Sequence, residues 1–187
     1  MTATLGCRSQ PPWHTRAVSE QKTLVVVRHA KAEQSAPSDI ARRLTDSGVA
    51  DAVEAGAWLA GRGVRPDAAI VSAAARTEQT WDALCEGAGW DLEATLEEAL
   101  YEAGTESALD LVRATEEHVG TLVLLGHNPT MASLAALLDD GEGDADAGND
   151  ISLGFPTCAV AVFSYDGDWD EIDEASASAV AFHVGRG

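Results

Sequence analysis

Short apolar runs alternate along the chain with segments in which apolar residues recur every three or four positions. The runs lie at 24–27, 68–71, 121–125, 159–163 and 179–184, with a weaker one near 92–96. Each is short and bounded by polar or Gly-containing punctuation, as expected of a buried strand. Between them, 46–61 places Val49, Ala52, Val53, Ala57 and Ala60 on one helical face, and 76–88 continues with Gln79, Thr80, Ala83 and Leu84. After Gly104, Ala108, Leu111, Val112, Thr115 and Val119 follow helical spacing, and Met131, Leu134, Ala135 and Leu138 repeat it in a fourth helix. Strands alternating with helices predict βα units packed on a mostly parallel sheet, an α/β fold. Only "SYDGDWDEIDEASAS" joins the last two strands, a connection short enough for antiparallel pairing.

Punctuation refines this map. Asn128 is a preferred N-cap and Pro129 a preferred first helical residue, so the fourth helix is expected to start there, with His127 between strand and helix. The stretch "LDDGEGDADAGND" has the look of a calcium loop. Counted from Asp140, however, its sixth and twelfth positions are Ala145 and Ile151, where Gly and Glu are required, so it reads as a solvated loop. Residues 1–21, with Pro11 and Pro12 and no periodicity, read as a flexible N-terminal extension to a single domain over 22–187.

Composition narrows the function. The chain has 187 residues, 31 acidic against 12 basic, for a net charge of −19. Such a field repels nucleic acid and anionic membrane surfaces. Cys7, Cys85 and Cys158 show neither a CxxC nor a metal-ligand spacing, so neither a disulfide framework nor a zinc site is indicated, which fits a reducing cytoplasm. The N-terminal stretch lacks the apolar core of a signal peptide, and no apolar run approaches a membrane span.

In open α/β sheets, ligands bind beyond the carboxyl ends of the strands. Arg28 and His29 follow the first strand, Ser72 and Arg76 follow the second, and His127 follows the "TLVLLG" strand. Arginine presents a planar fork that matches phosphate oxygens, and a helix N-terminus adds backbone N–H donors. A neutral imidazole beside that cradle can attack phosphorus and form a phosphoenzyme that water cleaves. Taken singly, an Arg-His pair at a strand end is an ordinary cap, His127 a helix cap and Arg76 a surface residue. Their joint place at successive strand ends is what points to phosphoryl chemistry. Two histidines without a placed carboxylate leave a zinc site short of ligands.

"LVVVRHAKAE" resembles the signature of the histidine phosphatase superfamily, whose strand-end Arg-His carries the nucleophile. "VSAAARTEQT", "LLGHNPTMASLA" and "FPTCAVAVF" resemble its later elements, in order, over 23–184. "RHAK", "LYEA" and "GHNP" are similar to the small SixA-type phosphohistidine phosphatases. The resemblance implies a phosphoglycerate mutase-like, three-layer α/β/α sandwich. It implies His29 as the phosphorylated nucleophile, with Arg28, Arg76 and His127, the last as a protonated donor, holding the phosphoryl oxygens, and Ser72 among the substrate-binding residues. No metal or other cofactor is expected. Glu102 falls near the position of a catalytic carboxylate in other branches, though with Glu97, Glu98 and Glu106 it also reads as a solvated acidic face. The implied substrate is phosphohistidine on a protein. A small phosphomonoester, or a phosphate-binding module without turnover, stands as the alternative.

Overall fold

The computed structural model describes residues 21–187; the expected N-terminal extension, apart from Gln21, and Cys7 lie outside the described residues. Six strands form one sheet: β1 (Lys22–Arg28), β2 (Ala68–Ser72), β3 (Thr95–Glu97), β4 (Thr121–Gly126), β5 (Ala159–Tyr165) and β6 (Ser178–Val184). Their order is β3-β2-β4-β1-β5-β6. The pairings from β3 to β1 are parallel, and β5 runs antiparallel to both β1 and β6. Strand β1 stays apolar without alternation because both faces of the sheet are covered. Val25 and Val27 pack under α1 (Asp46–Gly61) and α2 (Ala75–Ala88). Leu24 and Val26 pack on the other side, under α3 (Thr105–Arg113), α4 (Thr130–Leu138) and α5 (Ala145–Leu153). The result is the expected three-layer sandwich.

Strand positions agree with the apolar runs, except that the weak one near 92–96 yields only the edge strand β3, whose Leu96 is exposed. The helices differ more. Helix α1 has the expected bounds, yet it buries Gly48, Ala52, Ala55, Gly56 and Leu59 and leaves Val49 and Ala57 exposed. Small residues decide this rotation. A Cβ at Gly56 would collide with the Leu84 carbonyl and one at Gly87 with the Val53 carbonyl, so α1 and α2 meet backbone to backbone. Helix α3 stops at Arg113, so Thr115 and Val119 are not helical; Val119 is buried by the turn into β4, where its carbonyl accepts the Trp169 indole N–H at 2.8 Å.

Helix α4 starts one residue later than its sequence suggests. Pro129 holds the cap position, and Asn128 acts from one residue before it, its Oδ1 accepting from the Ala132 N–H at 3.3 Å. The acidic stretch read as a solvated loop runs into α5, whose first residues it supplies. Asp144 caps it by accepting from the Ala147 N–H at 2.9 Å, and Ala147 and Ile151, one turn apart, are buried. The high acidic content hid a short amphipathic helix.

Candidate active site

The strand registers assemble the site. Arg28 lies opposite Gly126 in the β1–β4 pair, and Val71 lies opposite Leu125 in the β2–β4 pair. Arg28, Ser72 and Gly126 therefore end three adjacent strands at one level. His29 and His127 leave β1 and β4 side by side, their ring centroids 5.2 Å apart.

His29 is held on three sides. Its N–H donates to the Gly126 carbonyl at 3.1 Å, its own carbonyl accepts from the Cys158 N–H at 3.1 Å, and its Nδ1 lies 2.7 Å from the Ala30 carbonyl. A carbonyl only accepts, so Nδ1 carries the proton and Nε2 keeps its lone pair. Burial pushes the His29 pKa down to about 4; the Ala30 contact opposes this, and Arg76, Arg28 and Arg42 reinforce it. At neutral pH the ring is an uncharged nucleophile.

His127 is buried, with Nε2 2.8 Å from the hydroxyl of Ser72, itself fully buried. Among the described residues this hydroxyl has no other acceptor, so it donates to Nε2 and leaves the His127 proton on Nδ1. Burial first, and then the neighbouring Arg76 and His29, lower the His127 pKa to about 3. Burial and the charge of the arginines thus favour the neutral ring in the empty site, where a protonated donor was expected. The neutral ring still offers Nδ1–H as a donor.

Arg28 gives one terminal N–H to the Phe155 carbonyl at 2.9 Å, an acceptor it shares with Asn128 at 2.8 Å. Arg76, nearly buried at the start of α2, gives Nη1–H to the Asp39 carbonyl at 2.8 Å and Nη2–H to the Asp39 carboxylate at 3.0 Å. Among the described residues, the buried side-chain nitrogens and oxygens without a hydrogen-bond partner are Arg28 Nε, Arg76 Nε and His127 Nδ1. All three carry N–H donors and all belong to this site. Buried donors left without acceptors are costly, and an anion is the kind of ligand whose oxygens could accept from them.

Helix α2 fixes the frame. Thr80 accepts from the Ala30 N–H at 3.1 Å, and Gln79 accepts from the Leu44 N–H at 2.8 Å, so two side chains of "RTEQT" hold the segment that follows β1. Thr77 accepts from the Ala74 N–H at 3.3 Å, half of a capping box at a helix start whose cap residue has no polar side chain. Asp39, Arg42 and Tyr101 were not anticipated. They lie in loops without periodicity, yet the Tyr101 ring meets His127 edge-on at 5.4 Å and its hydroxyl donates to Asp39 at 2.6 Å. Arg28, His29, Ser72, Arg76 and His127 are brought together as the sequence suggested. Glu102, next to Tyr101, is exposed and makes no hydrogen bond among the described residues.

Comparison with known proteins gives concordant results. Residues 24–121 match the model of the histidine phosphatase superfamily, branch 1. Uncharacterized proteins of Mycobacterium tuberculosis and Mycobacterium leprae are 35% and 32% identical over 162 and 165 residues, spanning 86% of this chain and all of each relative. The SixA protein of Nakamurella multipartitia is similar in structure with a TM-score of 0.78 and 31% identity, over 88% of this chain and 96% of that one. SixA of Agrobacterium tumefaciens gives 0.71 and 30%, over 87% and 97%.

Proposed function

We propose, for a chain that belongs to the histidine phosphatase superfamily and within it to the SixA-type phosphatases, that the substrate is phosphohistidine on a protein and that His29 is the nucleophile. The observation that carries this reading is the set of three orphaned N–H donors around a histidine whose Nε2 lone pair is free. In the first step Nε2 attacks phosphorus and the P–N bond to the substrate imidazole breaks. That imidazole has taken a proton on its other ring nitrogen and departs neutral. In the second step water attacks phosphorus, the P–Nε2 bond breaks, and His29 returns neutral with inorganic phosphate released. Arg28, Arg76 and His127 stabilise the charge gathering on the phosphoryl oxygens. Donors of this kind supply the positive charge that a metal supplies elsewhere, so the reaction is proposed to need none.

Two features favour a macromolecular substrate. The two SixA proteins similar in structure bear the name of phosphohistidine phosphatases. Beside Arg28 an open cavity of about 550 Å³ is lined by Leu153, Phe155, Pro156, Phe182 and Val184, with Leu153 84% exposed, which suits a protein surface better than a small polar metabolite. A helix long and apolar enough to cross a membrane is absent among the described residues. With Cys85 and Cys158 as free thiols, this accords with the proposed cytoplasmic setting.

His29→Ala should abolish turnover and leave the fold intact, and brief exposure of the wild type to labelled phosphohistidine protein should trap an acid-labile phosphoprotein. Full activity in His29→Ala would end this reading. Hydrolysis of a phosphomonoester calls for an acid to protonate a departing alkoxide, and Glu102 is the carboxylate nearest in sequence to the Tyr101 edge of the site. Glu102→Gln should therefore cripple ester hydrolysis and spare phosphohistidine hydrolysis. Equal losses on both substrates would place Glu102 outside proton transfer. Vanadate binding with no hydrolysis across both substrate classes would favour a phosphate-binding module.

A further inference from the structure

A carboxylate beside a phosphate cradle needs a reason. Asp39 opens a 3-10 turn (Asp39–Ala41) in the loop between β1 and α1, and its side chain is 55% exposed. Its carboxylate nevertheless receives three donors, and its carbonyl two, the second being the Arg42 backbone N–H at 3.1 Å. Arg76 reaches its carbonyl and its Oδ2, Tyr101 donates to Oδ2 at 2.6 Å, and Arg42 donates to Oδ1 at 2.9 Å. The loop is pinned from behind by the Glu33 N–H to the Arg43 carbonyl at 2.8 Å, Arg42 Nε–H to the Glu33 carbonyl at 2.6 Å, and Gln79 at Leu44. Hydrogen bonds from Tyr101 and Arg42 hold the carboxyl well below the usual carboxylate range, so it is charged throughout the working pH range.

Such a carboxylate has two conceivable roles. As a competitor it would occupy the place of the phosphoryl group and be displaced by it. As a positioner it would fix the guanidinium so that other N–H groups face the ligand. The distribution of donors separates these. A guanidinium has five N–H groups. Asp39 takes one from each terminal nitrogen of Arg76, the end-on fork, and Nε–H on the other edge is buried without an acceptor. Asp39 is also bound by Tyr101 and Arg42, so displacing it would break contacts that a phosphoryl group at Arg76 does not replace. Tyr101 adds a second link, since the ring that anchors Asp39 stands edge-on to His127 and lies under Arg76 at 5.6 Å.

We propose that Asp39 and Tyr101 are positioning residues: together they clamp the outer fork of Arg76, so that its inner N–H groups, like the Nδ1–H of His127, are aimed at the phosphoryl oxygens. This rests on the phosphatase reading, and it assigns the pair no contact with substrate. A planar fork misaligned by a freely rotating side chain loses its bidentate fit even though the charge remains.

The test is orthovanadate binding by calorimetry together with steady-state hydrolysis, on the full chain. Asp39→Ala should weaken vanadate and raise KM by about tenfold or more, with kcat changed far less, since Arg76 holds the phosphoryl group before and during reaction. Asp39→Asn, which keeps an acceptor for Arg76 and Tyr101, should recover binding to within about threefold of wild type, and Tyr101→Phe should fall between the two. Unchanged or tighter vanadate binding by Asp39→Ala would overturn the proposal, because the carboxylate would then be a bystander or a competitor. Should Asp39→Ala fail to fold, Tyr101→Phe decides alone, and binding equal to wild type overturns it. A wild type that turns over substrate while Asp39→Ala is unaffected defeats only the clamp. A wild type that binds no vanadate and hydrolyses nothing defeats the clamp and the phosphatase mechanism together.

Discussion

Acidification should destabilise this protein through its site before its many carboxylates begin to titrate. Burial holds the His29 and His127 pKa values at about 4 and about 3. In the unfolded chain both return to about 6.5. Between those limits the unfolded state binds more protons than the folded one, so stability rises with pH and is lost as pH falls below about 6.5. At pH 5 each unfolded imidazole is almost fully protonated, whereas both folded rings are still neutral. The 1.5 pH units between 6.5 and 5, at about 1.36 kcal/mol per unit, give a loss of about 2 kcal/mol for each histidine relative to pH 8. The two together remove about 4 kcal/mol, a large share of the total for a domain of this size. Urea unfolding at pH 8 and pH 5 measures this directly, and pairing wild type with His127→Asn cancels the background from carboxylates and net charge. The difference between the two proteins should shift by about 2 kcal/mol across the window. A difference independent of pH would refute the claim that His127 is held neutral by the fold. Saturating phosphate should shrink the shift, because an anion in the cradle favours the protonated rings.

Ser72→Ala removes the group that assigns the His127 tautomer and leaves a buried Nε2 without a partner. Stability should fall by about 1–3 kcal/mol and turnover by about tenfold, with nitrogen NMR of His127 showing a mixed tautomer in place of Nδ1–H. Gly56→Ala should gain about 1 kcal/mol in helix propensity, yet it places a methyl against the Leu84 carbonyl. The α1–α2 contact would have to open, so a thermal melt should show a net loss of at least about 2 kcal/mol.

Much of the site was legible because its residues stand where runs end. Arg28, His29, Ser72 and His127 terminate or follow apolar strands, and a strand end is visible in one dimension. The strand order was not, and it is what makes the residues a site. Strand β4 inserts between β1 and β2, so residues as far apart in sequence as Arg28 and Gly126 finish at one level. Asp39 and Tyr101 escaped because their roles exist only across separations of 37 and 62 residues, in segments with no period to mark them. In "LYEAG" attention falls on the carboxylate of Glu102, whereas the fold turns the neighbouring phenol of Tyr101 inward. The same limit applied to α1. Apolar counting favoured Val49 and Ala57, but the close approach of α2 rewards Gly56 and that of the Lys31 backbone rewards Gly48, and the signal of both is small size and not hydrophobicity.

The electrostatics tie binding to reactivity. The chain carries a net charge of −19, so attraction at long range does not bring a phosphoryl group to it. At contact the balance reverses, because Arg28 and Arg76 lie within the range at which their charges lower the pKa values of both histidines. In the proposed mechanism, the two arginines that would hold the phosphoryl group thus add to burial in keeping His29 unprotonated, and an unprotonated Nε2 is what attack on phosphorus requires. Once the anion is bound, its charge offsets that of the arginines and lets His127 donate more strongly, just when negative charge is accumulating on the oxygens. On the proposed mechanism, an empty cradle would prepare the nucleophile and a filled one would strengthen the donors. Asp39 completes this logic from outside, since a carboxylate committed to the outer fork of Arg76, to Tyr101 and to Arg42 orients the cation without occupying its inner edge.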